Sequence, residues 1–389
     1  MWRIESAPAP GQGVEFQLAD KAKATAGRTK WEEALKTILK TGAVALAALI
    51  GTATFAGAQT TLKYVEGSPN RGAKSKALQD FADHLSETTN GDIEVEFHWG
   101  GALLKWGAIL DGVSVGTSEM GTLIGAYNPQ ELTALRIGDL PIGESSDPWV
   151  GTRAMHELMT TNEDMKDALT RQNVIYLGGI HTTAGQFMCN GADITSIADL
   201  KGKKVRGAGV YSQALSDIGA TSVSITFGDI YQSLDSGLLD CSQVYLYTID
   251  PYKFWEVIDQ IVIVDWGQVV GIAAGINKDV WEDLTDEQRA ALTEAGSLLT
   301  DRQAQYLIEQ NDAALKALEN DDYGKPVKLV TASDEDKAIL AEASEKYIEA
   351  WKKDFSAHGY DADAAMDQYV ALLDKYTKER DEKGYPWQR

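Results

Sequence analysis

The stretch SIADLKGKKVRGAGVYSQALSDIGATSVSITFGDIYQSLDSGLLDCSQV, residues 196–244, alternates short apolar segments with amphipathic ones. From this pattern we predict strands at 203–206, 222–225 and 241–247 and helices at 212–218 and 227–236. Strands that alternate with helices are typical of an α/β fold, in which helices pack on a mostly parallel sheet. This stretch therefore decides the fold class.

The same alternation precedes this stretch, and a helical region follows it. We predict strands at 62–65, 93–99 and 119–124, helices at 71–88 and 105–115, and a further strand near Phe187. From Thr285 the sequence is almost wholly helical to about Tyr376, with interruptions near Asp322 and Lys328. Since no polar linker separates the two α/β halves, we expect the chain to cross between them more than once.

The N-terminal segment, residues 1–58, has the features of an export signal. Residues 41–58 are small and apolar, Lys36 and Lys40 precede them, and the segment ends in an A-x-A pattern at Ala58. These features predict a cleavable secretory signal with cleavage near Ala58. The alternative is a membrane anchor, for which Ala, Gly and Thr are poor material over so short a span. We expect a periplasmic protein and exclude residues 1–58, whose first 40 residues are unusually long for such a signal, from the fold.

The net charge argues against two classes of partner. The chain of 389 residues has 58 acidic and 36 basic side chains, which gives a net charge of −22. Nucleic acids and anionic membrane surfaces attract basic protein faces, so we expect neither as the main partner. The length is sufficient for two domains with a sizeable core.

Sequence signatures of zinc enzymes and of P-loop nucleotide-binding enzymes are absent. The chain has no HExxH or Walker motif, and its five histidines show no metal-ligand spacing. We therefore expect no catalytic residue, no metal and no cofactor. The two cysteines, Cys189 and Cys241, leave two alternatives open in an oxidising compartment: a disulfide, or two small buried thiols.

A glycine-rich turn imitates a dinucleotide-binding fingerprint. Gly207 and Gly209 lie between a predicted strand and a predicted helix, and Asp229 follows at the distance expected of the ribose-binding acid. However, Ser212 stands at the third glycine position, and an exported protein meets little free nicotinamide cofactor. We therefore reject this interpretation.

Three blocks of sequence, taken in order, carry a resemblance to a known family. They are residues 196–244, GTSEMGTLIGAYNPQELTALRIGDLPI at 116–142, and INKDVWEDLTDEQRAAL at 276–292. Together they resemble the DctP-type periplasmic substrate-binding proteins of TRAP (tripartite ATP-independent periplasmic) transporters, which are receptors for organic acids. The resemblance covers essentially the whole chain after residue 58.

The resemblance implies a two-lobed α/β fold of the Venus-flytrap type, with crossing strands and a long helix that spans both lobes. Lobe I would comprise residues 59–182 and 271–310, and lobe II would comprise residues 183–270 and 311–389. It also implies a monomeric receptor that binds a small organic acid between the lobes and delivers it to a TRAP permease. Two alternatives remain: an exported enzyme acting on a small organic acid, and a receptor that serves a sensor protein.

The resemblance also implies a set of ligand-binding residues. The family's principal ligand-binding arginine ends the K-x-R strand, which is Arg206 here, and a guanidinium binds a carboxylate with two parallel hydrogen bonds. Phe227 matches an aromatic residue that covers the ligand, and Asn190 lies in a strand that supplies donors. Gln186 stands about where many members carry a second arginine. Seven further residues lie in segments that can border the cleft: Trp99, Lys105, Trp106, Tyr127, Tyr245, Tyr247 and Trp266.

The missing second arginine bears on the ligand class. A dicarboxylate needs a cation or strong donors at both ends, whereas Phe227, Trp266 and Trp99 offer apolar walls. We therefore expect a monocarboxylate with an apolar or aromatic body in preference to a dicarboxylate or a sugar acid. Lys105 is the candidate for a replacement cation if that expectation is wrong.

Overall fold

The computed structural model describes residues 59–140, 142 and 147–389. The predicted signal sequence, with its cleavage site near Ala58, lies outside the described residues. In the ranges that are described, no helix combines the length and the apolar character needed to cross a membrane. Residues Gln59–Arg389 fall in one compact unit.

Strands and helices alternate through the first two thirds of the described chain, and helices dominate the rest. The strands are β1 (Thr60–Val65), β2 (Ile93–His98), β3 (Met120–Ile124), β4 (Val174–Ile180), β5 (Gly185–Cys189), β6 (Lys204–Arg206), β7 (Thr221–Ser222), β8 (Cys241–Val244), β9 (Gln260–Trp266), β10 (Ile272–Asn277) and β11 (Lys328–Thr331). The α-helices are α1 (Ala73–Thr88), α2 (Ile109–Ser114), α3 (Pro148–Thr161), α4 (Glu163–Thr170), α5 (Val210–Asp217), α6 (Ile230–Asp235), α7 (Ile249–Tyr252), α8 (Lys278–Asp283), α9 (Asp286–Glu319), α10 (Asp334–Ala357) and α11 (Ala362–Lys383).

The first sheet has five strands in the order β2-β1-β3-β10-β4. β1 is parallel to β2 and β3, as the alternation of strands and helices predicts, whereas β10 is antiparallel to β3 and β4. Helix α1 covers this sheet with the fully buried Phe81 and Leu85 on one face, which matches the helical spacing of its apolar residues. The return of β10 makes the sheet mixed instead of mostly parallel.

The second sheet has six strands in the order β11-β9-β5-β8-β6-β7 and is also mixed. The strand predicted at 241–247 ends at Val244, because its neighbour β5 pairs with it only as far as Gln186↔Val244. The strand predicted at 222–225 is reduced to β7, and β11 forms at the interruption of the helical region predicted near Lys328. Short strands such as these form only where a neighbouring strand supplies their hydrogen bonds.

A disulfide joins the two central strands of the second sheet. Cys189 in β5 lies opposite Cys241 in β8, and both side chains are fully buried. Their sulfur atoms are bonded at 2.07 Å across a sequence separation of 52 residues. Of the two alternatives that the sequence left open, the structure has the disulfide.

The chain crosses between the two sheets from β4 to β5 and again from β9 to β10, and helix α9 packs beside these crossings. Gly296 of α9 packs directly on Gly178 of β4: a Cβ at Gly178 would lie 2.4 Å from the Gly296 carbonyl oxygen. Further along α9, the Gln310 side chain accepts from Ala73 N at 2.5 Å and donates to Tyr247 O at 2.8 Å. One helix therefore holds groups that belong to both sheets.

The C-terminal helices return to different parts of the molecule. Helix α10 packs against α5 and β9, and its Trp351 donates to Thr133 O at 2.8 Å. Helix α11 packs against α3, where Lys375 and Tyr376 both contact the Glu157 carboxylate. The assignment of residues to lobes I and II given above stays a prediction.

Candidate ligand-binding site

A cavity of about 670 Å³, part of it open to solvent, lies where segments from both sheets meet. The residues that line it come from the loop between β1 and α1, the end of β3, the end of β6 and the chain after β8. Its aromatic lining residues are Trp106, Tyr127, Phe227, Tyr245, Tyr247 and Tyr252. Its cationic lining residues are Arg71, Lys74 and Arg206.

Arg206 is a buried cation that is poorly matched by protein groups. Its exposed fraction is 1%, yet its guanidinium makes only long hydrogen bonds: 3.4 Å to Ile225 O, 3.3 Å to Gln243 O and 3.4 Å to the Tyr127 hydroxyl. Within the described part of the chain, no carboxylate forms an ion pair with it. A buried charge without a counter-charge is costly, and an anionic ligand would supply the missing charge.

Arg206 reaches the cavity because it is the last residue of β6, which ends at the cavity. β6 pairs in parallel with β8, with Arg206 opposite Ser242, so its guanidinium reaches the carboxyl end of the sheet. The two glycines that follow are needed for different reasons: Gly207 for space and Gly209 for its backbone conformation. A Cβ at Gly207 would lie 2.7 Å from Ser212 N, and Gly209 has a φ of +50°, a region that favours glycine.

Tyr127 connects the two sides of the cavity. It follows β3 of the first sheet, and its hydroxyl oxygen accepts from Phe227 N at 2.8 Å and from Arg206 at 3.4 Å, both beside the second sheet. With its oxygen occupied by two donors, the hydroxyl proton is free to point toward a ligand oxygen. Tyr127 therefore supports closure of the site and can contribute to ligand binding.

Replacing Tyr127 with phenylalanine should weaken ligand binding by roughly 5- to 30-fold, because Phe227 N and Arg206 lose an acceptor in the closed site, at a cost of about 1–2 kcal/mol. Isothermal titration calorimetry with an acid that the protein binds measures this effect. Tyr231→Phe is the matched control, since the Tyr231 hydroxyl donates to Glu256 at 2.7 Å away from the cavity lining. An affinity change below about twofold for Tyr127→Phe would contradict this role.

A row of stacked rings forms one wall. The Phe227 and Tyr245 ring centroids are 6.1 Å apart, and those of Tyr245 and Tyr247 are 5.7 Å apart, with interplanar angles of 9° and 14°. The Tyr252 ring meets Phe227 edge-on at 4.9 Å. Burial raises the pKa of Tyr245 and of Tyr247, so both phenols stay protonated and neutral. The wall is apolar over most of its area and suits a flat or hydrocarbon ligand body.

The end of the cavity beside β1 carries a second cation that sequence reasoning missed. The Lys74 ammonium lies 4.7 Å from the Trp106 ring centroid and 3.6 Å from the buried Glu66 carboxylate. A signal was present in the sequence, since Glu66 follows the first predicted strand and Lys74 opens the next helix. Ligands of open α/β sheets bind beyond the carboxyl ends of such strands.

A buried carboxyl lies beside one of the crossings, in a neighbouring cavity that shares Tyr127 and Arg206 with the first. Asp139 accepts from Gly271 N at 2.7 Å, directly before β10. Desolvation by burial raises the pKa of Asp139 to about 7, against the opposing effect of that hydrogen bond. This carboxyl helps to hold the crossing segment in place.

Of the residues predicted from sequence, the cavity is lined by Arg206, Phe227, Tyr127, Tyr245, Tyr247 and Trp106. The structure places the other five elsewhere. Gln186 accepts from Val264 N and Asp265 N and donates to the Asp265 side chain, and Asn190 donates to Leu234 O.

Trp266, Trp99 and Lys105 also lie outside the lining. The Trp266 ring packs edge-on against Tyr211 at 4.9 Å, and Trp99 stacks on Phe97 at 4.7 Å. Lys105 is exposed at the turn before α2. In the part of the chain that the structure describes, no cluster of three or more His, Cys, Asp and Glu side chains is arranged to hold a metal ion.

The two sheets, the chain crossings and the cavity between them are those of a two-lobed periplasmic solute-binding protein. The chain belongs to the bacterial extracellular solute-binding protein family 7 (DctP), whose family model matches residues 65–354. The resemblance seen in the sequence and the predicted fold class are thereby confirmed. This family consists of proteins that bind solutes for transport.

Two curated relatives illustrate the sequence similarity. A solute-binding protein of Chromohalobacter salexigens is 23% identical over 231 residues, which cover 57% of this chain and 65% of that protein, just under two thirds of its length. The C4-dicarboxylate-binding periplasmic protein DctP of Rhodobacter capsulatus is 24% identical over 252 residues, which cover 64% of this chain and 74% of that protein.

Two solved structures show the same fold. A TRAP periplasmic solute-binding protein from Bordetella bronchiseptica, with bound (R)- and (S)-mandelate, has a TM-score of 0.72 and 20% identity, and the match covers 82% of this chain and 99% of that one. A TRAP solute-binding protein from Rhodoferax ferrireducens, in complex with copurified benzoate, has a TM-score of 0.70 and 19% identity with the same coverage.

Proposed function

We propose that this protein is an extracytoplasmic receptor that binds a small organic acid through Arg206 and delivers it to a TRAP permease. The observation that carries the proposal is the buried Arg206 guanidinium, which faces the cavity without an ion-pair partner among the described residues. A carboxylate supplies both the missing charge and acceptors for the planar fork.

The ligand body is apolar or aromatic. The ring row from Phe227 to Tyr247 and the Trp106 indole enclose the cavity, and each ring gains contact area with a flat ligand. This composition supports the monocarboxylate expected from the sequence, although the residues that provide it differ in part: Trp106 and Tyr252 take the places that the sequence suggested for Trp99 and Trp266. The mandelate and benzoate bound by the two structural relatives have this chemistry.

Ligand capture follows from the contacts that cross the cavity. Tyr127 with Phe227, and Gln310 with Ala73 and Tyr247, join groups from the two sheets. An acid bound to Arg206 adds contacts that exist only when both sides are close together, so it favours the closed form. In this proposal the closed, exported monomer is the form that the permease recognises, and no catalytic step takes place.

A comparison of acids tests the proposal directly. With the purified protein in one buffer, we expect benzoate to bind at least about tenfold more tightly than succinate or pyruvate by calorimetry. A ligand at 100 times its dissociation constant should add about 2.7 kcal/mol of stability in a thermal unfolding experiment. Failure of all carboxylates to bind would overturn the proposed function, whereas tightest binding of succinate would overturn the ligand class alone.

A further inference from the structure

The Lys74 end of the cavity is built around an ion pair. The Glu66 carboxylate is fully buried and accepts from Ser68 N at 2.8 Å, from the Ser68 hydroxyl at 2.6 Å and from the Thr122 hydroxyl at 2.6 Å. Lys74 lies 3.6 Å from the same carboxylate. These partners occupy the acceptor sites of Glu66, so its role is to hold and neutralise Lys74. The Lys74 ammonium keeps further N–H groups for the cavity.

Trp106 adds a second, independent donor. Only 6% of its surface is exposed, and its indole N–H has no acceptor among the described residues. The ring packs closely on Gly67, where an added Cβ would lie 2.3 Å from it. A buried donor without a partner is costly, and an oxygen atom of a ligand would satisfy it.

The two ends of the cavity therefore differ in charge. At one end Arg206 has no counter-charge among the described residues, whereas at the other end Lys74 is balanced by Glu66. Arg71 also lines the cavity, but it is exposed at the rim and its Nε donates to Pro251 O across the cleft. Solvent screens a charge at that position.

We propose that the Lys74 end is a subsite for an uncharged oxygen, so that the ligand is a monocarboxylate with a hydroxyl or carbonyl oxygen opposite its carboxylate. This inference rests on the proposed function and extends it. Lys74 and Trp106 donate to the distal oxygen, and the carboxylate binds Arg206. A second carboxylate would bring a further negative charge close to buried Glu66 without a cation of its own.

The walls of the cavity link the two ends. On one side, Tyr127 is hydrogen-bonded to Arg206, its ring centroid lies 6.3 Å from that of Trp106, and Lys74 lies over Trp106. On the other side, the Phe227 ring lies 5.5 Å from the Arg206 guanidinium and touches Tyr252. A ligand body between these aromatic walls reaches from one polar end to the other.

Acids that differ only in the distal group test the subsite. The probes are benzoate, its 3- and 4-hydroxy derivatives, and the 3- and 4-carbamoylbenzoates with the matching isophthalate and terephthalate. We expect at least one hydroxybenzoate or carbamoylbenzoate to bind about tenfold more tightly than benzoate, and each carbamoylbenzoate to bind about tenfold more tightly than its dicarboxylate. If no neutral-oxygen probe exceeds benzoate, or if a dicarboxylate binds best, the inference is wrong.

Two variants assign the effect to the ion pair. Lys74→Met should remove the advantage of the distal oxygen, so that the hydroxybenzoates and carbamoylbenzoates no longer bind more tightly than benzoate. Glu66→Gln should improve dicarboxylate binding relative to carbamoylbenzoate by about tenfold, because the Lys74 charge is then free. Lys76→Met is the matched control, since Lys76 lies on the same helix over the Tyr306 ring and outside the cavity lining.

The outcomes separate this inference from the function on which it rests. If benzoate and all the derivatives fail to bind, the proposed function is overturned together with the subsite. If benzoate binds and Lys74→Met leaves the ranking of probes unchanged, only the subsite is overturned. Glu66 is buried, so its variant is checked by circular dichroism. Lys74→Met, whose side chain is 14% exposed, decides the question if Glu66→Gln does not fold.

Discussion

Replacing Arg206 with alanine should reduce the affinity for the cognate acid by roughly 30- to 5,000-fold, which corresponds to about 2–5 kcal/mol. The reason is that the ligand carboxylate would lose its charge-assisted pair in a site that excludes water. Other groups that face this position are neutral, namely the Tyr127 hydroxyl and the carbonyls of Ile225 and Gln243. None of them replaces a positive charge. Calorimetry on a bound acid measures the loss.

Arg206→Lys should recover only part of the affinity, because an ammonium keeps the charge but has no planar fork. Lys204→Ala is the matched control: it removes a cation from the same strand, where the ammonium donates to Gly237 O at 2.5 Å outside the cavity. Lys105→Ala tests the other cation suggested by the sequence and should change affinity by less than about twofold. A loss below about threefold for Arg206→Ala, with the fold intact by circular dichroism, would refute the assignment of Arg206 as the carboxylate anchor.

Removing the disulfide should lower the free energy of unfolding by about 4 kcal/mol, because the bridge between Cys189 and Cys241 closes a loop of about fifty residues in the unfolded chain. The variant to use is Cys189→Ala with Cys241→Ala. Both cysteines are fully buried on central strands, and alanine is small and apolar, so it introduces no buried polar group there. Urea unfolding at constant pH, in the absence of ligand, measures the difference.

The bond itself is checked by counting free thiols on denatured, unreduced protein, where we expect none. Two free thiols per chain would reject the disulfide. Wild-type protein that has been reduced before unfolding should match the double alanine variant within about 1 kcal/mol, since both lack the cross-link. Ligand affinity should change little, because the bridge lies at the far end of β8 from Val244 and the cavity.

The α/β fold class, the family and the role proposed for Arg206 were all accessible from the order of residues. Strand and helix periodicity are properties of contiguous segments, and the block at 196–244 places an arginine at the end of a strand whatever the rest of the chain does. Phe227, Tyr127, Tyr245 and Tyr247, which the sequence analysis also named as candidates, line the cavity. Local patterns predict these features because each helix or strand is formed by residues that are neighbours along the chain.

Local sequence patterns do not predict the direction in which a side chain points. Gln186 stands in the expected strand, but a register shift between Gly185 and Phe187 against β9 turns its amide onto the backbone of Val264 and Asp265. A shift of one residue moves a side chain to the other face of a sheet, and only the partner strand determines it.

The polar end of the cavity depends on three segments that are separate in the sequence. Glu66 follows β1, Lys74 lies on α1 and Trp106 precedes α2, and they meet because β1 lies between β2 and β3 in the first sheet. The pairing of Cys189 with Cys241 is likewise a matter of strand register. Contacts between distant segments are decided by packing and strand pairing, whereas sequence alone decides which elements are available to pack.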